Sequence, residues 1–206
     1  MIDFLNPALT YKRLHGGGLA LPVAKACGVR GAVRPKIIDA TAGLGEDGFL
    51  LASLGCEVQM IERNPVIASA LREALALGLE NLEIQAIISR IILFHGSALD
   101  LIPQLTQDGP IDVIYLDPMF PHRKKSALVK KDMRDLRDIV GDDLDADNLL
   151  EVARQHAKRI VVKRPKGAGF LAGVVTKDQI KGERGRFDIY SGLINRVCTE
   201  RMQTRR

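Results

Sequence analysis

The sequence contains no tryptophan, and aromatic residues make up only 4% of its 206 residues. So few rings argue against an extended surface that stacks single strands, such as an oligonucleotide-binding sheet. The three cysteines, Cys27, Cys56 and Cys198, form no C-x-x-C pair, and the four histidines have no metal-ligand spacing. These absences argue against disulfides and a zinc site, and they predict a cytoplasmic protein with reduced cysteines and no bound metal.

Long apolar runs are also missing. No segment approaches the roughly 20 apolar residues of a membrane-spanning helix, and the first residues, MIDFLNPALTYKR, lack the pattern of a secretory signal. The content of 46% hydrophobic and 27% charged residues is typical of a globular protein with one sizeable core. A net charge of +5 is a weak indication of a polyanionic partner.

The strongest local pattern is a strand, a glycine-rich turn and a helix start between Pro35 and Gly48. Two isoleucines suit a central parallel strand, which ends at Asp39. The glycines that follow have the G-x-G-x-x-G spacing: Gly43, Gly45 and Gly48. They permit positive φ and the close approach of a ligand, and a helix over Asp47–Leu54 would direct its free N–H groups at that ligand. A tight turn without a ligand is the simplest alternative.

A second acidic residue follows the next predicted strand, Val58–Ile61. Glu62 lies about 20 residues after the turn, where a carboxylate can hold ribose hydroxyl groups. Asp39 occupies a strand end that is usually apolar in dinucleotide-binding turns. Acidic residues at both strand ends suit S-adenosylmethionine, which has an ammonium group at one end and a ribose at the other.

The rest of the chain alternates between predicted helices and strands. We predict helices over Leu19–Cys27, Pro65–Leu77, Leu82–Ser89, Asp100–Leu105 and Ala146–Ala157. Further strands are predicted over Ile91–His95, Ile111–Leu116, Arg159–Val162, Val174–Thr176 and Arg186–Tyr190. Residues 1–18 are predicted to be irregular, either a flexible arm or lid or a disordered terminus. This order predicts a doubly wound α/β sheet with a terminal hairpin.

The residues after strand Ile111–Leu116 are expected at the same crevice as the glycine turn, because that strand adjoins the first one. Asp117 can accept hydrogen bonds from an exocyclic amino group, Pro118 has no competing N–H, and Phe120 can stack on an extruded base. We therefore predict Asp117, Pro118 and Phe120 as catalytic residues that handle a flat base. The alternative is a proline-rich strand exit with Phe120 in the core.

These motifs carry a family resemblance. DATAGLGEDG and DPMFP resemble the S-adenosylmethionine-dependent amino methyltransferases of nucleic acids, although Met119 stands where their second proline is usual. The longer stretches DPMFPHRKKSALVKKDMR, VVKRP and RFDIYSG resemble the bacterial RsmJ family, which methylates guanine N2 in 16S ribosomal RNA. The likeness covers about Tyr11 to Tyr190. Family members carry additional sequence before the start of this chain, so we expect the chain to lack an N-terminal portion.

The resemblance implies a Rossmann-like seven-stranded methyltransferase sheet, mostly parallel with a C-terminal antiparallel hairpin. It would form a domain of residues 29–206, after an arm and short helix in residues 1–28. The implied cofactor is S-adenosylmethionine, and the implied substrate is 16S ribosomal RNA or the small ribosomal subunit. The cofactor contacts implied or predicted from the turn are Asp39, Gly43, Gly45, Glu46, Asp47, Glu62, Arg63, Ser97, Ala98 and Asp117.

A cationic segment after the predicted base site indicates a phosphate-binding surface. The predicted RNA contacts are Arg123, Lys124, Lys125, Lys130, Lys131, Lys163 and Arg164. A solvated helix is the alternative, because three aspartates offset part of the charge. Three other functions stay open: a DNA adenine or cytosine amino methyltransferase, a non-catalytic RNA-binding assembly factor, and a nicotinamide oxidoreductase, which would not explain residues 117–121.

Overall fold

The structure, a computed structural model, describes residues 2–118, 146–182 and 185–193. Its strands are β1 Ile37–Asp39, β2 Val58–Glu62, β3 Ile91–His95, β4 Ile111–Leu116, β5 Ala157–Pro165, β6 Gln179–Lys181 and β7 Gly185–Ser191. Within the described residues they form one seven-stranded sheet in the order β3-β2-β1-β4-β5-β7-β6. The first five strands are parallel, and β7 runs antiparallel to both β5 and β6. The predicted α/β sheet with an antiparallel C-terminal hairpin is confirmed.

Helices connect the strands and cover the sheet. They are α1 Pro7–His15, α2 Pro22–Ala26, α3 Glu46–Ser53, α4 Pro65–Glu80, α5 Gln85–Ile88, α6 Ala98–Leu105 and α7 Ala146–His156, with 3₁₀ turns at Gly18–Ala20 and Leu171–Gly173. Across the part of the chain that the structure describes, none of the helices has the length and apolar character needed to span a membrane.

The short strand β1 lies at the centre of the sheet, between β2 and β4. Its side chains alternate between two apolar clusters, with Ile37 in one and Ile38 in the other. Both faces of the strand are therefore buried, as its uninterrupted apolar sequence predicts. Asp39 is in register with Met60 on β2 and Tyr115 on β4, so the carboxyl ends of these strands meet at one edge.

The N-terminal segment is more ordered than the sequence predicts. The Asn6 side chain accepts a hydrogen bond from the Leu9 N–H at 2.9 Å, and Pro7 starts helix α1. Leu9 is buried, and the Phe4 ring stacks on Phe49 with centroids 4.9 Å apart. The prediction that residues 1–18 are irregular is wrong over Pro7–His15, because this cap and two apolar anchors fix a helix. The boundary between residues 1–28 and 29–206 stays a prediction.

Three other element predictions need correction. The helix predicted over Leu19–Cys27 is a 3₁₀ turn followed by the shorter α2, since Pro22 starts a new helix. The helix predicted over Leu82–Ser89 is confined to α5, because the Asn81 side chain accepts from the Glu83 N–H and forms a turn.

The strand predicted over Val174–Thr176 does not form. The Val174 N–H donates to the Leu171 carbonyl oxygen, and the Thr176 hydroxyl donates to the Ile189 carbonyl oxygen at 2.7 Å. This segment is therefore a loop that packs on β7, and the hairpin partner of β7 is β6.

Gly48 provides a test of the packing between helix α3 and the sheet. A Cβ atom at Gly48 would lie 2.5 Å from Met60 Cε and 3.1 Å from Asp39 Oδ2. We expect Gly48→Ala to lower the free energy of unfolding by about 1–3 kcal/mol, although alanine favours helix, because the buried side chains of Met60 and Asp39 must shift to make room. Urea unfolding measures the change.

The matched control is Gly169→Ala, because a Cβ atom there meets open space at an ordinary φ. This variant should stay within about 0.5 kcal/mol of the wild type. A Gly48→Ala protein as stable as the wild type would contradict the close approach of helix and strand.

Candidate active site

The glycine turn leaves an open approach to the backbone at the carboxyl end of β1. Gly43 and Gly45 have φ values of 53° and 73°, in the left-handed region that favours glycine. A Cβ atom at Gly45 would lie 2.9 Å from Leu71 Cδ2, so this glycine is also required by packing. A Cβ atom at Gly43 would meet no atom closer than the Thr41 carbonyl oxygen at 3.9 Å. A ligand can therefore reach the turn at Gly43.

Glu62 holds the turn against the end of β2. Its Oε2 accepts a hydrogen bond from the Gly43 N–H at 2.9 Å, and its Oε1 accepts from the Asn64 N–H at 2.7 Å. The side chain is buried. Since a carboxylate offers about four acceptor positions, these contacts are compatible with the predicted ribose contact, which stays a prediction.

Three acidic residues meet between the turn and the end of β4. We call Asp39, Asp47 and Asp117 the carboxylate cluster. Asp39 ends β1, Asp47 lies in the first turn of α3, and Asp117 follows β4. The Asp117 N–H donates to Thr41 Oγ1 at 2.6 Å, which ties the exits of β4 and β1 together. The sequence-based expectation that both exits reach one crevice therefore agrees with the structure.

Two lysines neutralise part of this cluster, and a tyrosine donates a hydrogen bond to it. The Lys163 ammonium donates to Asp47 Oδ2 at 2.7 Å and to Asp117 Oδ2 at 2.8 Å. The Tyr115 hydroxyl donates to Asp47 Oδ2 at 2.7 Å, and the Lys12 ammonium lies 3.6 Å from Asp47 Oδ1. Burial opposes the ionisation of Asp47, but Lys163 and Lys12 outweigh it and hold its pKa below the ordinary value.

At Asp39, in contrast, burial outweighs the contacts that favour the charged form of the carboxylate. Its side chain is only 2% exposed. Burial, followed by repulsion from Asp47, raises the pKa of Asp39 from 3.8 to about 8, although the Thr41 N–H donates to its carboxylate. Asp39 is therefore largely protonated at neutral pH, although the charge of Lys163 partly opposes this shift.

The other predicted cofactor contacts lie around the same edge. Ser97 precedes α6 and Ala98 begins it, directly after β3, and the Gly96 N–H donates to the Glu62 carbonyl oxygen at 3.0 Å. Glu46 is exposed at the start of α3, beside the turn, and Arg63 is exposed directly after β2. The structure thus brings the predicted positions to one edge, while their contacts with a cofactor stay predictions.

Several predicted residues lie outside the described part of the chain, and others are buried or make contacts within the protein. Phe120 and the RNA contacts Arg123, Lys124, Lys125, Lys130 and Lys131 lie outside the described residues. Pro118 is buried, Lys163 contacts the carboxylate cluster, and Arg164 is 5% exposed with its Nε donating to the Gly169 carbonyl oxygen. Phosphate binding by Lys163 and Arg164 stays a prediction.

Sequence reasoning did not select Thr41 or Tyr115. Tyr115 carried a signal, because it is a hydroxyl-bearing ring in an apolar strand and lies two residues before Asp117 on the same side. Thr41 carried a weaker one, as a hydroxyl inside the turn motif. The contact between Lys12 and Asp47 has no sequence signal, because it depends on where α1 packs.

The crevice fits S-adenosylmethionine in its chemistry. Carboxylates at the ends of β1 and β4 suit a cationic group, and the buried Glu62 after β2 suits a ribose. The open backbone at Gly43 admits a ligand between them. In the described residues, no group of three or more histidine, cysteine or acidic side chains is arranged to hold a metal ion.

The strand order and the turn at the tip of β1 define the class of S-adenosylmethionine-dependent methyltransferases. Over residues 1–192 the chain matches the family described as putative SAM-dependent methyltransferase. The chain belongs to this family, and within it to the ribosomal RNA small subunit methyltransferase J proteins, as the sequence resemblance predicts.

Two curated relatives illustrate the match. Ribosomal RNA small subunit methyltransferase J of Salmonella arizonae is 51% identical over 193 residues, which cover 93% of this chain and 77% of the relative. The protein of that name from Pseudomonas syringae is 49% identical over 190 residues, covering 92% of this chain and 70% of the relative. The crystal structure of a SAM-dependent methyltransferase from Neisseria gonorrhoeae is 39% identical, with a TM-score of 0.74 over 94% of this chain and 74% of that one.

The raised pKa of Asp39 predicts a pH-dependent stability. Because the folded state keeps a proton between pH 3.8 and about 8 that the unfolded state releases, stability falls as pH rises through this window. Asp39→Asn keeps the acceptor for Thr41 and removes the titration. As pH rises, the free energy of unfolding of the variant should increase relative to the wild type by on the order of 1 kcal/mol per pH unit. Above about pH 8 the difference between the two proteins should stay constant.

Urea unfolding of both proteins from pH 5 to pH 9 provides the measurement. Parallel stability curves across this range would show that Asp39 ionises normally in the folded protein.

Proposed function

We propose that this protein transfers the methyl group of S-adenosylmethionine to the exocyclic N2 of a guanine in 16S ribosomal RNA. The relatives that are about half identical are named for the RNA of the small ribosomal subunit. The observation that carries the proposal is the position of Asp117, whose N–H donates to Thr41 beside the glycine turn. Ribosomal RNA as substrate also implies that the protein acts in the cytoplasm.

The amino nitrogen of guanine is a poor nucleophile, because its lone pair is delocalised into the ring. Positioning therefore supplies much of the rate, by holding that nitrogen in line with the methyl donor. Bound S-adenosylmethionine supplies an electrophilic methyl group on a sulfonium. The proposed cofactor contacts are Asp39, Gly43, Gly45, Glu46, Asp47, Glu62, Arg63, Ser97, Ala98 and Asp117.

Asp117 is the proposed partner of the amino group. Its carboxylate accepts a hydrogen bond from the N–H and stabilises the positive charge that develops on nitrogen during attack. It does not need to remove a proton before attack, since the charge on nitrogen develops only as the methyl group arrives. Pro118 adds no competing N–H donor, and Phe120 is proposed to stack on the base.

A direct transfer needs no covalent intermediate on the protein. Cys27 and Cys56 are buried, and burial raises the pKa of both thiols, so neither is an activated nucleophile. The cationic residues 123–125 and 130–131 are proposed to grip RNA phosphates beside the base, which would make RNA binding salt-dependent.

The substrate assignment is tested with methyl-labelled S-adenosylmethionine. Small subunits and naked 16S RNA from cells lacking the activity are incubated with the protein and digested to nucleosides. We expect the label in N2-methylguanosine. Label in an adenine or cytosine amino group, or labelling of duplex DNA in preference to RNA, would favour the DNA amino methyltransferase alternative.

Asp117→Ala tests the proposed role of the carboxylate. We expect a loss of about 100- to 1,000-fold in kcat, with binding of RNA retained, because the hydrogen bond to the amino group acts mainly in the transition state. Asp112→Ala is the control, since Asp112 lies on the same strand but pairs with Lys158 at the opposite edge of the sheet. Asp112→Ala should keep the wild-type kcat.

Calorimetry separates the enzyme from an assembly factor. If the wild-type protein binds RNA but shows no heat of binding with S-adenosylmethionine, the non-catalytic reading replaces the proposal.

A further inference from the structure

Lys163 contacts both sides of the crevice from the carboxyl end of β5. Its ammonium lies 2.7 Å from Asp47 Oδ2 and 2.8 Å from Asp117 Oδ2. Asp47 begins the helix after the glycine turn, on the proposed cofactor side. Asp117 follows β4, on the proposed substrate side. A single side chain thus joins two carboxylates to which the proposed reaction assigns different tasks.

These contacts differ from those of a surface lysine that binds phosphate. Lys163 is 40% exposed, and a phosphate contact would require it to give up at least one of two short ion pairs. Burial disfavours its charge, but Asp47 and Asp117 outweigh burial and raise the pKa of Lys163 above its ordinary value. The ammonium therefore stays charged throughout the neutral pH range.

We propose that Lys163 is a positioning residue of the methyl transfer, which fixes the orientation of the Asp117 carboxylate and offsets the negative charge of the carboxylate cluster. This inference rests on the proposed function. It assigns Lys163 to the crevice instead of the phosphate-binding surface that the sequence predicts.

Lys163 and Thr41 both contribute to the orientation of Asp117. Lys163 holds its Oδ2, and Thr41 accepts from its backbone N–H at 2.6 Å. Rotation of the carboxylate would break the first contact while the backbone stays in place. Without Lys163, the Asp117 carboxylate would lose this ion pair and part of the compensation for its repulsion by Asp47, so it would no longer be held in this orientation toward the amino group.

The charge of Lys163 also affects ligand preference. S-adenosylmethionine carries one more positive charge than its product, S-adenosylhomocysteine. Removing the ammonium makes the crevice more negative, which favours the more cationic ligand. Lys163 therefore lowers the preference of the crevice for S-adenosylmethionine over S-adenosylhomocysteine.

The chain offers a matched control on the same strand. Lys158 also lies on β5 and also pairs with an aspartate, at 2.8 Å from Asp112 Oδ1, but at the opposite edge of the sheet. Lys158→Met removes an equivalent charge and ion pair without touching the crevice. Lys163→Arg restores the charge, and Lys163→Gln serves as a second neutral variant if Lys163→Met melts below the assay temperature.

The first measurement is methyl transfer to small-subunit RNA. For Lys163→Met we expect kcat to fall by about 100-fold while KM for RNA stays within about threefold, since positioning acts on the transition state. Lys163→Arg should recover to within about tenfold of the wild type, and Lys158→Met should match it. An increase in KM for RNA without a change in kcat would instead show a phosphate contact. An unchanged kcat in Lys163→Met would in any case overturn the inference.

The second measurement is calorimetric binding of S-adenosylmethionine and S-adenosylhomocysteine. For Lys163→Met, the preference for the former over the latter should rise by about tenfold, whereas Lys158→Met should leave it unchanged. An unchanged preference in Lys163→Met would overturn the inference. If the wild-type protein binds both ligands but methylates no small-subunit RNA, the proposed function is wrong. In that case the calorimetric comparison of the two ligands still tests whether Lys163 offsets the charge of the carboxylate cluster.

Discussion

Negative charge gathered at the tips of β1 and β4 is the constraint on which the site depends. Asp39, Asp47 and Asp117 come from three separate segments and meet at one edge of the sheet, where Asp39 is buried and the side chains of Asp47 and Asp117 are 14% and 40% exposed. Like charges at such a place oppose folding unless they take up protons or cations. The structure uses both routes: burial and Asp47 keep Asp39 largely protonated, and Lys163 offsets part of the negative charge of Asp47 and Asp117. A crevice of this kind is suited to a methyl donor that arrives with a positive charge and loses it during the reaction.

Packing around the glycine turn gives this charge a fixed geometry. Gly48 lets α3 lie directly against Met60 and Asp39, and Glu62 holds Gly43 from the neighbouring strand. Thr41 then connects the turn to Asp117. Because each of these contacts links a different strand exit, the edge is organised before a ligand binds, which reduces the entropy that binding must overcome.

The sequence predicts some strands closely and several other elements less well. β4 has the predicted bounds, because a buried parallel strand is a continuous apolar run that ends at a polar residue. β3, at the edge of the sheet, also has its predicted bounds, since it is an apolar run that ends at Gly96. Val174–Thr176 has the same β-branched character but forms a loop, since its backbone groups bond to Leu171 instead of a strand. Residues 1–18 are predicted to be irregular, but Asn6 and Pro7 form the N-terminal cap and first turn of α1, and the buried Leu9 anchors the helix.

The sequence by itself determined the sheet, the glycine turn and the chemical character of the crevice, because these follow from local patterns of apolar, glycine and acidic residues. It also determined the family, since motifs along most of the chain carry the resemblance. Only the tertiary structure decided which charges compensate one another. Lys163 is 116 residues from Asp47 and 46 from Asp117, and sequence reasoning assigned it to an RNA surface. Ionisation depends on distances and burial, which arise only when the strands assemble, so the protonation of Asp39 and the pairing of Lys163 could not be derived from composition or spacing.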